Sequence, residues 1–435
     1  MSETPLAGRT VQSTAGGTER PASILTLISV TLLTGVGAGL GGMLLALLLH
    51  VVQHLAFGYS QHAVISAESF LDGVQAAGAA RRWWVLLLCG AVAGLGWWAV
   101  RRYGKPLVAI ASATKAADPR LPPGSTTAHA LLQIITVALG SPLGREVAPR
   151  EIGALLGGWL AHKAGLNTRQ CQIMLACGAG AGLAAVYNVP LAGAAFVLEG
   201  LLFTFAWDAV IPALATSVLA AVVAWIGLGN EMQYVVPALH INASLVFWSC
   251  LAGPLFGWGA HLFVRLTTAA RAAAPKDGRI IPLCLLNFAV IGTLAITLPQ
   301  LLGNGKGPAH LSFDGDLGMT MALLLLVLRL AITASTLRAG AQGGLLTPGL
   351  ACGALLAVVL GGLWSLAWPG VTPGAYAIVG ACAFLAASMR LPLTALLLVL
   401  EFTRVEQDFV VPMLLATAGS LAVFHLCATG AKPVK

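Results

Sequence analysis

The chain has 435 residues, of which 58% are hydrophobic and only 9% charged, with a formal net charge of +8. An ordinary soluble domain carries roughly a quarter charged residues, so this composition excludes the soluble globular classes and indicates one polytopic membrane unit. Basic residues lie at the ends of apolar runs beside tryptophan, as in Arg81-Arg82-Trp83-Trp84. That placement is typical of a membrane interface and disfavours nucleic acid as a partner.

Apolar runs follow one another along the chain, and we expect each to be helical. In chain order the runs cover Ile24–Phe57, Trp83–Val100, Leu107–Thr114, Thr126–Leu139, Glu146–Ala161, Gln170–Val186, Pro190–Phe205, Val210–Ile226, Leu245–Leu266, Ile281–Leu302, Leu317–Thr336, Leu345–Trp368, Tyr376–Ala387, Pro392–Phe402 and Phe409–Ala428. The first is too long for an upright span of about 20 residues, which predicts a steep tilt. Short runs interrupted by glycine or proline indicate discontinuous helices around a buried site.

An internal repeat divides the chain. LAAVYNVPLAGAAFVLE at 183–199 matches LAASMRLPLTALLLVLE at 385–401, at an offset of 202 residues that places Pro190 with Pro392 and Glu199 with Glu401. Homologous halves of this kind are commonly packed in inverted orientation, with the binding site between them. We therefore predict a disordered cytoplasmic segment over 1–22, a first membrane repeat over 23–228, a connection over 229–244, a second membrane repeat over 245–430 and a short tail over 431–435.

Two segments with the spacing Gly-x-x-x-x-Pro form the candidate anion site. They comprise Gly144, Arg145, Glu146, Val147, Ala148 and Pro149 in the first half and Gly343, Gly344, Leu345, Leu346, Thr347 and Pro348 in the second, at an offset of 199. Glycine lets the backbone approach a ligand closely, and proline suits the first turn of a following helix. Free amides at helix N-termini carry partial positive charge. We predict that the amides around Glu146 and Val147, and those of Leu345 and Leu346, bind the anion.

Glu146 is an ionisable residue in apolar sequence, which makes it a functional candidate by default. At a helix N-terminus its carboxylate would compete with a permeating anion. Deprotonated, it would block the site; protonated or displaced, it would swing aside. We predict that Glu146 is both gate and proton carrier, and the alternative is a helix-capping residue or a partner of Arg145. Arg145 is interpreted as structural, paired with a buried acid or with backbone carbonyls.

These motifs and the twin helices ending in Val-Leu-Glu resemble the CLC family of chloride channels and chloride/proton antiporters, in a divergent prokaryotic-type form. The resemblance runs from Val36 to Pro433. It implies an all-α polytopic membrane fold of two inverted-topology halves with many tilted and discontinuous helices. It also implies a homodimer in the lipid bilayer, each subunit with its own pathway for chloride or another small anion, and protons as a second transported ion in those members that are antiporters. Glu146 matches the external gating glutamate.

Departures from the family pattern bear on the anion site. Lys105 falls where the resemblance places an anion-coordinating serine, and it could attract the anion or extend to the membrane surface. Val147 and Ala148 stand where the family usually has Gly-Pro, so the local turn is expected to differ. Lys435 falls near the position of an inner-gate tyrosine. Both inner positions therefore lack their usual side chains.

A further departure concerns the proton. Gly200 follows Glu199 where antiporters carry a proton-transferring glutamate, and Glu199 or His162 are candidate substitutes. The predicted function is therefore anion transport gated by Glu146, with weak or absent proton coupling. Glu199 and Glu401 are otherwise interpreted as buried structural acids, with Arg390 as a candidate partner for one of them.

Other functions stay open as alternatives. A fully coupled chloride/proton antiporter and a fluoride exporter share the architecture, although GGLLTP lacks the asparagine-bearing segment of the fluoride branch. An intramembrane enzyme is disfavoured because neither HExxH nor GxSxG occurs. No metal site or cofactor is predicted, since the cysteines lie singly without a CxxC pair. The expected location is a multi-pass integral membrane protein, in the plasma (inner) membrane of a bacterium.

Overall fold

The computed structural model describes residues 23–60, 64–65 and 68–430. The predictions for residues 1–22 and 431–435, including the one for Lys435, lie outside these residues. Within them the chain forms seventeen α-helices, one π-helical segment and two short 3-10 segments, and no strand longer than an isolated bridge. The architecture of the described chain is therefore all-α, as predicted.

The first half contains nine α-helices and the π-helical segment. They are α1 (Ile24–Phe57), α2 (Phe70–Ala76), α3 (Ala79–Tyr103), α4 (Ile110–Ala113), α5 (Pro123–Ala138), α6 (Val147–Lys163), α7 (Thr168–Tyr187), α8 (Pro190–Ala195), the π-helical Phe196–Leu202 and α9 (Trp207–Leu228).

The second half contains eight α-helices and the two 3-10 segments. They are α10 (Ala243–Ala272), α11 (Ile280–Thr297), the 3-10 Pro299–Leu301, α12 (Lys306–Asp314), α13 (Met319–Ala339), α14 (Leu346–Ser365), α15 (Pro373–Met389), α16 (Pro392–Thr403), the 3-10 Gln407–Phe409 and α17 (Val410–Gly430).

The long apolar runs predict their helices closely. α1 begins after Ser23, whose side chain accepts a hydrogen bond from the Thr26 amide, and ends at the left-handed Gly58. Its 34 residues are about 51 Å long at 1.5 Å per residue, which exceeds a hydrocarbon core of about 30 Å. An unbroken helix of that length fits the bilayer only when it is steeply tilted.

Short and polar elements were harder to predict. The run Leu107–Thr114 yields only the four-residue α4, and Pro190–Phe205 divides into α8 and a π-helical segment. Two helices, α2 and α12, lie outside every predicted run because their sequences are not predominantly apolar. α2 begins at a capping box, in which Ser69 and Asp72 each bond the other's backbone amide.

Nine helices among the described residues are long and apolar enough to cross a membrane: α1, α3, α7, α9, α10, α11, α13, α14 and α17. Others, including α5, α6, α8, α15 and α16, are shorter than a full span. This mixture is the predicted pattern of full spans around discontinuous helices.

Small residues pack the discontinuous α6 tightly against α7. A Cβ added at Gly153 would overlap the backbone carbonyl of Gly178, and one at Gly182 would overlap that of Pro149. The two backbones can approach this closely because glycine has no side chain. The packing fixes the start of α6, where Glu146 lies.

The two repeats hold each other through exchanged carboxylates. Glu199 accepts hydrogen bonds from the amides of Leu393 and Thr394, at 3.0 and 2.8 Å, in the first turn of α16. Glu401 accepts from the two corresponding amides of α8, also at 3.0 and 2.8 Å. Each acid therefore caps the opposite half's equivalent helix, which is a contact expected of two-fold-related repeats.

Two arginines of the second half, the exposed Arg390 and the buried Arg329, contact an aromatic ring and backbone carbonyls. Arg390 was expected to pair with a glutamate, but its guanidinium lies 5.3 Å from the ring centre of Phe424. Arg329 is fully buried on α13 and donates to the carbonyl oxygens of Leu301 and Gly303, at 3.0 and 2.7 Å. Arg329 thus ties the connection between α11 and α12 to α13.

Candidate functional site

The two Gly-x-x-x-x-Pro segments meet at the centre of the fold. Gly144 and Gly344 form an antiparallel bridge in which each amide donates to the other's carbonyl, at 2.8 and 2.9 Å. The sequence alignment placed Gly144 opposite Gly343, so the direct contact is one residue further along. Since α6 and α14 both begin just after this bridge, their N-termini face the same small volume.

Glu146 fills that volume. Its side chain is fully buried, and its Oε1 accepts a hydrogen bond of 2.7 Å from the amide of Leu346, the first residue of α14. Oε2 is buried and has no hydrogen-bond partner among the described residues. The carboxylate of the first half therefore sits on the positive N-terminus of a helix in the second half.

Both bridging glycines are required by the position of the carboxylate. A Cβ added at Gly144 or at Gly344 would collide with the carboxyl group of Glu146. The pair forms a cradle, defined here as the space between Gly144 and Gly344 that the carboxylate occupies. A buried acceptor without a donor costs about 1–3 kcal/mol. The unbonded Oε2 therefore weakens the binding of the carboxylate in the cradle, and a ligand without this cost can displace it.

Both helices start in the same way. Pro149 and Pro348 are the third residues of α6 and α14, where their missing amides cost nothing because first-turn amides have no intrahelical carbonyl. Val147 is the first residue of α6, and Leu345 immediately precedes α14. The structure brings the Leu346 amide to the Glu146 carboxylate, whereas anion binding by Val147, Leu345 and Leu346 stays a prediction.

Arginines lie on both sides of Glu146 in the sequence and near it in the structure. Arg145 is largely buried, with its guanidinium 5.2 Å from the ring centre of Tyr187, whose hydroxyl lies 3.3 Å from the Thr347 hydroxyl. Arg150 donates from Nε to the backbone carbonyl of Glu146 at 2.9 Å. These contacts hold the segment on each side of Glu146, and neither arginine is hydrogen-bonded to its carboxylate among the described contacts.

Lys105 lies apart from this centre. It is exposed in the segment between α3 and α4, and the contacts of the described residues include no hydrogen bond or ion pair from it to Glu146. The first turn of α4 begins five residues later, at Ile110. A direct contact of Lys105 with the anion remains a prediction.

A polar cluster that the sequence did not indicate lies beside the start of α6. It consists of His129 and Gln133 on α5, Glu151 on α6 and Gln342 before α14, joined by hydrogen bonds. His129, Gln133 and Gln342 line a cavity of about 420 Å³ whose wall also includes Val147, Gly344 and Leu345. The only sequence signal was polar residues at positions 129 and 133, one turn apart on a helix otherwise apolar toward its C-terminal end.

Sequence comparison places the chain among ion-transport proteins. The sequence model of the family described as Voltage gated chloride channel matches residues 87–425. A putative chloride channel protein ClcB-like of Ralstonia nicotianae is 30% identical over 380 residues, covering 83% of this chain and 87% of that protein. The H(+)/Cl(-) exchange transporter ClcA of Cronobacter sakazakii is 30% identical over 313 residues, covering 69% of this chain and 66% of the relative.

Solved structures show the same fold. A slow cyanobacterial Cl-/H+ antiporter superposes with a TM-score of 0.78 at 22% identity, covering 93% of this chain and 96% of the other. A CLC-type fluoride/proton antiporter superposes with a TM-score of 0.65 at 19% identity, covering 92% and 97%. These likenesses confirm the predicted fold class of two inverted halves built from tilted and discontinuous helices.

Proposed function

This chain belongs to the voltage-gated chloride channel (CLC) family of integral membrane proteins, and we propose that it transports chloride or a similar small anion with Glu146 as the gate. The observation that carries the proposal is the seat of the Glu146 carboxylate on the Leu346 amide. A helix N-terminus in an apolar interior is a site where an anion gains from partial charges without being trapped by a full one. The carboxylate occupies the place of the transported ion.

Opening follows from competition for this place. An anion that binds the Leu346 amide must displace Oε1, and protonation of Glu146 weakens the same hydrogen bond because a neutral carboxyl oxygen is a poorer acceptor. The vacant Oε2 offers the position for that proton. Either event frees the side chain to leave the cradle, and its return closes the pathway.

Proton coupling is proposed to be weak or absent. Gly200 has no side chain to carry a proton, and the carboxylate of Glu199 is engaged by two amides and the hydroxyl of Thr394. His162, the other candidate, is exposed near the C-terminal end of α6, more than three turns beyond Glu146. Neither Glu199 nor His162 therefore offers a free proton-transferring side chain in place of the glutamate that antiporters carry at the position of Gly200.

Ion flux from liposomes tests this proposal. Purified protein is reconstituted, and chloride and fluoride efflux are measured separately for the wild type and for Glu146→Gln, with and without a proton gradient. We expect chloride flux in both proteins, a pH dependence only in the wild type, and little uphill proton movement. Sustained uphill proton movement at a fixed ratio to chloride would show a fully coupled antiporter, and flux of fluoride alone would show a fluoride exporter.

The quaternary state belongs to the same proposal. The family resemblance implies a homodimer in which each subunit contains a complete pathway. The residues that carry the proposal, Gly144, Glu146, Gly344 and Leu346, all come from one chain. Cross-linking in the membrane is expected to give a dimer, and flux per subunit should not depend on the partner's Glu146.

A further inference from the structure

The buried His129–Glu151 pair is a titratable unit without a role in the proposed gate. The Nδ1 of His129 lies 2.9 and 3.0 Å from the two carboxylate oxygens of Glu151. Its Nε2 lies 2.8 Å from the side-chain oxygen of Gln342. The side chains of His129 and Glu151 are only 8% and 14% exposed. Burying a charged pair costs desolvation free energy, which is offset only when hydrogen bonds satisfy both partners.

The geometry of the pair favours an extra proton. Both ring nitrogens face oxygen acceptors, and only the imidazolium can donate at both ends. Gln133 donates from Nε2 to Oε2 of Glu151 at 3.4 Å, the carboxylate that the protonated ring also faces. Glu151 balances the charge of a protonated ring. The pair can therefore hold a proton or release it with small movements of the surrounding side chains.

The cavity extends from His129 to the backbone that adjoins Glu146. His129 and Gln133 contribute to one part of its wall, while Val147, Gly344 and Leu345 contribute to another. Glu151 follows Glu146 by five residues on α6, which corresponds to a rise of about 7.5 Å. A volume of about 420 Å³ has room for several waters, since a water in the liquid takes about 30 Å³.

Charges around the pair come from three other directions. Arg101 at the end of α3, Arg150 on α6 and Arg271 on α10 all line the cavity. Their hydrogen-bond partners are the carbonyls of residues 275, 146 and 343, so none is neutralised by an acid there. Where α1 packs on α5, the contact residues are apolar, such as Leu45 and Leu49. Among the described residues, Glu151 is the acid hydrogen-bonded to His129, and the positive charges of the arginines disfavour the imidazolium, which allows its proton to leave.

We propose that the His129–Glu151 pair is a proton-binding site that supplies Glu146 through the water of this cavity. The proton leaves the imidazolium of His129 for a cavity water, and that water passes a proton to Oε2 of Glu146. The neutral imidazole is then reprotonated from solvent entering the cavity. This inference rests on the proposed gating role of Glu146. In it, the His129–Glu151 pair takes the role that a carboxylate at the position of Gly200 has in antiporters. It describes how the gate receives protons, whatever the ratio of protons to anions.

Chloride efflux measured over a pH series tests the inference. Proteoliposomes of the wild type, His129→Gln, Glu151→Gln and Glu146→Gln are compared from pH ~8 to ~5, the range in which histidine titrates. His162→Gln is the matched control, because it removes an exposed histidine at the other end of α6. Glu151→Gln preserves side-chain shape, so it decides the question if His129→Gln does not fold. Gel filtration establishes folding for each variant.

The expected outcomes separate the two proposals. Wild type and His162→Gln are expected to speed up on acidification, by at most about tenfold per pH unit for one proton. His129→Gln and Glu151→Gln should lose that acceleration while retaining flux at alkaline pH, and Glu146→Gln should be pH-independent. If Glu146→Gln loses the pH dependence but both pair variants keep the wild-type profile, the inference is overturned and the gate stands. If Glu146→Gln keeps the wild-type profile, the gate itself is refuted.

Discussion

Replacing Gly344 by alanine is expected to expel the Glu146 carboxylate from the cradle. A Cβ at Gly344 would collide with that carboxylate, and the backbone cannot yield easily because its two hydrogen bonds with Gly144 hold it. The displaced side chain loses its bond of 2.7 Å from the Leu346 amide. A hydrogen bond to a charged group contributes about 1.5–3 kcal/mol, and 1.4 kcal/mol is about tenfold in affinity. A chloride at the position of Oε1 would overlap the same Cβ and lose the same hydrogen bond, so chloride affinity should fall about 10- to 100-fold.

Titration calorimetry of chloride in detergent measures this change, with liposome efflux as a second readout. Gly318→Ala is the matched control, because a Cβ there meets no atom within 4 Å and its backbone is extended before α13. The control should bind chloride as the wild type does. If all three proteins are folded and bind chloride with equal affinity, the Glu146 carboxylate does not occupy the anion-binding position.

Three further predictions concern stability and are measured by thermal unfolding in detergent. Glu199→Gln removes the charge that caps α16 and should cost about 1–3 kcal/mol, with a similar loss for Glu401→Gln; an unchanged melting temperature in both would contradict the reciprocal caps. Arg329→Lys should cost about 1–3 kcal/mol, because one ammonium cannot occupy both Nη1, which bonds Leu301 and Gly303, and Nη2, which bonds Pro142; an unchanged melting temperature would contradict that role. Gly153→Ala should cost about 1–3 kcal/mol by separating α6 from α7, whereas Gly124→Ala, which meets no atom within 4 Å, should be silent.

The sequence was most informative at residues whose type has one main structural explanation, such as proline, glycine or a glutamate within apolar sequence. A proline and a glutamate recurring at the same offset in apolar sequence indicated two homologous halves, and the exchanged caps at Glu199 and Glu401 are the contacts behind that recurrence. Glycine before and proline after Glu146 indicated a helix start, and α6 begins one residue after it. Long apolar runs such as α1 were predicted to within their observed bounds because burial in lipid dominates their composition.

Tertiary contacts decided the rest. The partner of Glu146 is an amide 200 residues away, and no local pattern distinguishes Leu346 from Leu345. The His129–Glu151 pair joins two helices and lies outside every motif, so composition gave it no weight. Gly200 indicated only that a proton-transferring glutamate is missing. The structure shows that a different titratable pair, His129 and Glu151, lies near the start of α6.

Anomalous diffraction from crystals soaked in bromide tests whether the Glu146 carboxylate and the transported anion share one site. Glu146→Ala removes the carboxylate and leaves the Leu346 amide free. We expect a bromide peak within about 3.5 Å of the Leu346 nitrogen in Glu146→Ala, and no peak there in the wild type while the carboxylate is bound to the Leu346 amide. A bromide at this amide in the wild type with Glu146 unmoved, or none in Glu146→Ala, would contradict the claim that the side chain and the anion share one site.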